Sequence, residues 1–391
     1  MNKYTKYKIK KNEIDELMKM MKYLIVQPWF IEPGHPAQSL INTYRSIKSK
    51  FQININVIVY VPQKTSLKKH LKNYILECNA EVISSSLKII DTLFVGTIAT
   101  VRAICKKNYD KDAKIFFLDA NLYVLSLALK FYKIKPKKLD VLCMCSPEFY
   151  KKNIFKWFLI VDLFGYQYFN LFLRTPELAD SWRRELPMFA NRIDYLPSLE
   201  LINTQPAENK KKYNSKTFII AGQIRYGKCV EYLTNLFLTH PYLGNLRIVG
   251  KIVNNYLNDF IQKRNGKNIF IVNDFISENQ LYDELQRSHY NLMLYDPWDE
   301  RMECSMLFNS IKSSCPVIAF KEGWLGRQVT KHCIGWTLPK KEKANLLKFI
   351  ESLPEPNSQE YKKIINNLQK CYDKWSSGQI VMEFINKLDW H

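Results

Sequence analysis

The sequence predicts two doubly wound α/β domains in tandem. Short apolar runs alternate with amphipathic stretches of ten or more residues, first over 22–200 and again from 217 onward. Runs such as YLIVQ, IFFL and TFIIA are continuously apolar, as parallel strands are when helices cover both faces. Between the two series lies NTQPAENKKKYNSK, residues 203–216, polar and without apolar period, which reads as a linker. A length of 391 residues suits two domains of ordinary size.

In the first domain, 22–28 is an apolar run stopped by Pro28 and reads as the first strand. A loop through Gly34-His35-Pro36 leads to a helix over 40–50. Strands follow at 55–61, 81–83, 115–118, 139–144, 171–174 and 193–196, with helices at 67–78, 93–106, 122–132 and 176–186. The stretch 154–173 has the length of a membrane span. Lys156, Asp162, Gln167 and Asn170 interrupt it, so a buried or interfacial helix is expected instead. The second domain predicts strands at 217–221, 246–249, 269–272, 290–294 and 316–320, with helices at 230–239, 254–263 and 278–288, and a mostly helical end over 361–388. No internal repeat of 20–50 residues is present.

The net charge of +21 is uneven. Residues 1–199 hold 32 Lys and Arg against 17 Asp and Glu, and the remainder holds 26 against 20. A basic first half suits an anionic partner such as a membrane surface, and a lysine-rich surface composition gives the same pattern. The nine cysteines are odd in number and none is spaced CxxC, as expected of free thiols in a reducing compartment. Residues 1–20 mix charges without an apolar core, so no signal peptide is expected, and Met21-Lys22 resembles a chain start, which makes 1–20 either a helical extension or the product of a misplaced start codon. The motifs GxxxxGK[ST], GxGxxG, GxSxG and HExxH are absent, as is any nucleic-acid-reading signature.

Two segments carry the clearest chemistry. In TFIIAGQIRYGK, a strand ends at Gly222 and two cations follow, Arg225 and Lys228, placed to neutralise a diphosphate. In SMLFNSIKSSCPVIAF, Ser305 and Met306 open a helix whose free amides favour phosphate oxygens, and a Ser-Ser-Cys-Pro turn leads into a strand. In the first domain, His35 is a loop histidine suited to base or phosphate chemistry. Asp119 and Glu148 follow strands of the first sheet at their carboxyl ends, where ligands bind in such folds.

These two segments resemble the GT-B glycosyltransferases of the large family 4 type, whose second domain ends in a similar helix-turn-Pro-Val-Ile-Ala pattern. The resemblance covers about residues 22–385. It implies two Rossmann-like domains facing a cleft, with an extension at 1–21, an acceptor-side domain at 22–201, a linker at 202–216, a nucleotide-sugar domain at 217–365, and a terminal helical segment, 366–391, packed back on the first domain. It further implies a glycine-containing loop at Gly34 near the donor phosphates, and a backbone contact to the base at Asn273-Asp274-Phe275-Ile276. The ribose-holding Glu of the family falls at Asn309, whose amide can still bond a hydroxyl. The other Glu of that pair falls at Arg301, so Glu303 or Glu300 takes the donor-sugar role. The implied activity is metal-independent, retaining transfer of a sugar from a nucleotide diphosphate donor to a glycan or lipid-linked acceptor. Cell-surface polysaccharide assembly on the inner face of the membrane follows by analogy, with no further cofactor. A non-catalytic scaffold subunit and a nucleotide-sugar 2-epimerase share the architecture and remain alternatives.

Overall fold

The structure is a computed structural model that describes residues 22–30, 35–50, 55–62, 69–84, 92–107, 113–202, 204, 211–264, 266, 268–296 and 301–388. Gly34 and Glu300 lie outside the described residues, as do the terminal residues 1–21. The chain divides into two units, residues 1–200 with 378–391, and residues 201–377.

The first unit holds a seven-stranded sheet of β1 (Lys22–Gln27), β2 (Ile55–Tyr60), β3 (Glu81–Ile83), β4 (Ala113–Leu118), β5 (Lys138–Cys143), β6 (Phe169–Leu173) and β7 (Ile193–Tyr195). Their order is β3-β2-β1-β4-β5-β6-β7, every neighbouring pair parallel. Tyr23–Val26 and Ile115–Leu118 are all at most 1% exposed, which is why these runs carry no polar alternation. Among the described residues two polar side chains of this sheet are buried, Gln27 at the end of β1 and Asp140 on β5, and Asp140 accepts a hydrogen bond from Asn170 Nδ2 on β6 at 2.7 Å. The last helix, Gly378–Leu388, belongs to this unit. Its Phe384 meets Phe116 edge-on, and its Lys387 pairs with Asp194 at 2.6 Å.

The second unit holds six strands, β8 (Thr217–Ala221), β9 (Asn245–Val249), β10 (Ile269–Val272), β11 (Tyr290–Met293), β12 (Val317–Phe320) and β13 (Gly335–Leu338), in the parallel order β10-β9-β8-β11-β12-β13. Both sheets thus follow the succession 3-2-1-4-5-6 of dinucleotide-binding folds, with a seventh strand in the first. The helix Gln359–Trp375 closes this unit, burying Ile364, Leu368, Cys371 and Tyr372.

Three sequence expectations differ from the structure. The apolar stretch 154–173 is a ten-residue helix, Ile154–Leu163, followed by β6, because the turn through Gly165 ends the helix. Among the described residues no helix is long and apolar enough to cross a membrane. The helix expected at 40–50 begins at His35, since Pro36 fits a first helical turn. The helix Gly323–His332 and strand β13 were not foreseen: Gly-Trp-Thr-Leu is short, and its burial is only partial.

Candidate functional site

In each sheet the strand succession reverses beside its first strand, between β1 and β4 and between β8 and β11. Ligands in such sheets bind outside the strand carboxyl ends at that point. In each unit several of the chemistry-bearing residues follow the strands that meet at its own reversal.

In the second unit β8 ends at Ala221, and Gly222 turns the chain with φ +83°, a conformation glycine adopts without strain. Its amide donates to Val249 O at 3.0 Å. Gly250, at the end of the adjacent β9, has φ +134°, and a Cβ there would stand 2.0 Å from Gly222 O. The two backbones therefore touch as only glycines allow. A Cβ on Gly222 would meet Met306 Cε at 2.7 Å and Lys228 Nζ at 3.7 Å. The turn after β8 is thus flanked by the first turn of the helix Ser305–Lys312 and by a buried lysine.

Lys228 is 7% exposed, and its Nζ donates to Ala221 O at 2.6 Å. Desolvation lowers its pKa to about 8, and the positive charge of half-buried Arg225 pushes in the same direction. The Tyr295 ring lies 5.7 Å from Nζ, and the Cys304 thiol donates to Tyr295 Oη at 3.5 Å. Asp296 N donates to Gly227 O at 2.6 Å, so the loop after β11 is tied to the loop after β8.

The helix Ser305–Lys312 starts without a side-chain cap, its N-cap residue being Cys304 rather than a hydroxyl or carboxylate. Its N-terminal amides are the kind that bind anions. The helix is anchored from below. Ser310 Oγ donates to Met306 O at 3.1 Å, and Asn291 of β11 donates to Ser310 Oγ at 2.7 Å. One turn on from Met306, Asn309 Nδ2 donates to Met306 Sδ at 3.9 Å. The structure therefore brings Gly222, Arg225, Lys228, Met306 and Asn309 together, with Ser305 at the same helix start. Glu303 is half-buried two residues before that helix.

Asn273 follows the edge strand β10. Its Oδ1 accepts from Ile252 N at 2.9 Å and its Nδ2 donates to Asn258 at 2.7 Å, so its side chain fixes the loop after β9. Phe275, two residues on, is 38% exposed. Asp274, whose Oδ1 accepts from the Phe275 amide at 2.7 Å, and Phe275 are the exposed side chains of this loop among residues 273–276. Among the described residues no cluster of three His, Cys, Asp or Glu side chains has the arrangement of a metal site.

In the first unit, Asp119 follows β4 with φ +66°, a left-handed backbone that costs a non-glycine residue about 1 kcal/mol or more. Its amide donates to Leu142 O at 3.0 Å. Desolvation raises its carboxyl to about 6, against the opposing pull of Arg174 and a hydrogen bond from the Met144 amide. Arg174, after β6, also donates to Ser39 Oγ at 2.6 Å. Two buried polar atoms that follow the neighbouring strands β4 and β1 have no hydrogen-bond partner among the described residues: Asn121 Oδ1 after β4 and Trp29 Nε1 after β1. Glu148 is exposed in the first turn of the helix Pro147–Lys151. His35 opens the helix His35–Lys50.

Sequence reasoning missed Gly250, Cys304, Arg174, Asn121 and Trp29. Gly250 had a signal: it ends LRIVG as Gly222 ends TFIIAG. Arg174 ends NLFLR in the same way. Cys304 had none, because a cysteine at an N-cap is not a capping type.

No protein-family model matches the chain, and no curated protein matches it. Solved structures do. One described as "Trehalose-6-phosphate from E. coli bound with UDP-2-fluoro glucose" superposes with a TM-score of 0.64 at 10% identity, over 95% of this chain and 99% of that one. HepE of Anabaena in complex with UDP gives 0.64 at 14% identity, over 94% and 100%. A glycosyltransferase from Rickettsia africae gives 0.62 at 14% identity, over 95% and 99%. At such identities the likeness is one of fold, and this chain has the GT-B fold.

Proposed function

We propose that the protein is a glycosyltransferase that moves a sugar from a nucleotide diphosphate donor to a glycan or lipid-linked acceptor. The observation that carries this reading is the convergence of Gly222, Arg225, Lys228 and the uncapped start of the Ser305–Lys312 helix at the β8/β11 switch point. A glycine without Cβ, two cations and the N-terminus of a helix are what a diphosphate needs. The similar HepE and E. coli structures hold UDP or a UDP-sugar, which supports the same class of donor here.

In the proposed reaction the bond between the anomeric carbon and the β-phosphate oxygen breaks, and the nucleoside diphosphate leaves with the electron pair. Arg225 and Lys228 offset the charge that develops there. The acceptor hydroxyl oxygen bonds to the anomeric carbon and gives up its proton. Asp119, with a pKa near 6, His35 and Glu148 are the groups offered on the acceptor side. Ser305 and Met306 contribute helix-start amides, Asn309 holds the ribose, the Asn273–Phe275 loop meets the base, and Glu303 meets the donor sugar. A similar structure concerned with "glycosyltransfer with retention" supports a retaining outcome. The setting we infer is cell-surface polysaccharide assembly, with the protein held peripherally at the inner face of the membrane.

Calorimetric titration with UDP and GDP, followed by hydrolysis assays on the corresponding sugar donors, tests the reading. Binding of one nucleotide that Arg225→Ala weakens, with turnover of its donor, supports it. Absence of binding to either nucleotide refutes it. Binding without turnover favours a scaffold subunit, a reading that Asn309 in place of the expected Glu specifically supports.

A further inference from the structure

The first unit carries an apolar face outside its switch-point site. The helix Ile154–Leu163 buries Leu159, Ile160 and Leu163, which leaves Ile154, Phe155 and Phe158 on its outer side. The helix Leu122–Phe131 buries residues 122, 124, 125, 128 and 129, leaving Leu127 and Phe131 outward at helical spacing. These five side chains are between 41% and 79% exposed. Three contacts clasp the two helices side by side: Lys156 Nζ over the Tyr123 ring at 4.6 Å, Ser126 Oγ donating to Asp162 at 3.2 Å, and Lys130 paired with Asp162 at 2.7 Å. The two outer stripes are therefore neighbours on one surface. Phe149, 58% exposed on the preceding helix Pro147–Lys151, extends it. Soluble monomers seldom leave a run of large apolar side chains uncovered in this way.

The charges around this face are mainly basic. Lys130, Lys133, Lys151, Lys152 and Lys156 flank the exposed rings, and residues 1–199 carry a net +15. Of the acids nearby, Asp162 is paired with Lys130 and Glu185 with Lys151, and Glu148 is exposed. Exposed aromatic residues with lysines at their border are suited to the boundary of an anionic bilayer, where rings enter the headgroup layer and ammonium groups stay among phosphates.

We propose that the paired helices Leu122–Phe131 and Ile154–Leu163 form a reversible docking surface for an anionic lipid bilayer. Phe131, Ile154, Phe155 and Phe158 enter the interface, and the bordering lysines hold it electrostatically. This rests on the surface alone and not on the donor site, and the two are measured separately below.

Flotation of the full chain with vesicles of equal parts phosphatidylcholine and phosphatidylglycerol tests it, with pure phosphatidylcholine vesicles as control. The protein is expected to float with anionic vesicles at low salt, to leave them at high salt, and to ignore the neutral ones. Phe155→Ser with Phe158→Ser should weaken partitioning by at least about tenfold. Lys151→Gln with Lys152→Gln should weaken it by about fivefold per lysine. Both double variants should keep the wild-type melting temperature and nucleotide affinity. Absence of flotation on anionic vesicles overturns the proposal, as does flotation of the double variants equal to wild type. So does a dimeric wild type that Phe155→Ser with Phe158→Ser makes monomeric, which would assign the face to self-association.

Discussion

Replacing Lys228 by Met separates a ligand-binding cation from a structural one. In the folded protein this ammonium group is buried and its pKa falls from 10.5 to about 8, mainly by desolvation. That difference corresponds to about 3 kcal/mol of instability for the charged form below pH 8. Methionine fills similar space without the charge. It leaves Ala221 O without its lysine partner, which costs about 1–3 kcal/mol. The two changes nearly cancel, so Lys228→Met should be as stable as wild type or melt about 2–4 °C higher. Nucleotide affinity should fall roughly 10–100-fold, the worth of a charge-assisted contact to phosphate.

The pH dependence supplies a second readout. Between pH 8 and 10.5 the unfolded chain holds a proton on Lys228 that the folded chain has released, so wild-type stability contains a component that rises with pH across this window. The Met variant should lack it. Nucleotide binding to wild type should weaken as pH rises through about 8, because the free protein then loses the charge that the phosphate meets. Thermal unfolding and calorimetric titration on the same samples measure both effects. A variant that melts several degrees lower yet binds nucleotide normally would show that Lys228 serves only to hold the turn after β8, and the reasoning would fail.

Arg225→Ala should lower donor turnover by about 2–4 kcal/mol of barrier without a change in melting temperature, read from steady-state rates beside thermal unfolding. Asn309→Ala should weaken nucleotide binding modestly while Asn309→Glu keeps it, and equal titration curves for wild type and the Ala variant would remove the ribose assignment. Asp119→Gly should relieve the left-handed backbone and melt higher while slowing transfer, and unchanged transfer would take Asp119 out of the site. With its carboxyl raised to about 6, Asp119 contributes stability below pH 3.8 that is lost as pH rises through 6, and Asp119→Asn should flatten that part of the stability profile.

The strands were legible because parallel strands buried on both faces need unbroken apolar runs, and TFIIA and IFFL are such runs. β13 escaped because Gly335, Trp336 and Thr337 are only partly buried, so the run never becomes apolar. The break between Leu163 and Phe169 escaped because both sides of it are apolar and the period of so short a run is ambiguous. In the site, Gly222, Arg225 and Lys228 were readable from their place after a strand. Their depth was not: two cations three residues apart look alike in sequence, yet Lys228 is buried and Arg225 is half-exposed. Asn273 belongs to a loop whose backbone is expected to contact the base, and its side chain has a task of its own. An Asn at a strand end can satisfy a neighbouring loop, and here it bonds Ile252 and Asn258. The left-handed Asp119 had no sequence signal, since Asp tolerates that region without requiring it.

The two sheets repeat one order of strands but arm their switch points with opposite chemistry. After β8 the chain buries a cation, and after β4 it buries an acid. Desolvation acts on both and moves them toward neutrality from opposite sides, Lys228 down to about 8 and Asp119 up to about 6. At pH 7 each is still mainly ionised, and each ion is less stable than it would be in water. An ammonium in that condition gains more from an arriving diphosphate than a solvated lysine does, because no hydration shell has to be removed. A carboxylate in that condition takes a proton more readily than an ordinary aspartate, because its pKa lies closer to the working pH. Burial that destabilises the free protein is therefore the same burial that would fit each group to its part in the proposed transfer. Variants that relieve it should separate stability from activity in opposite directions.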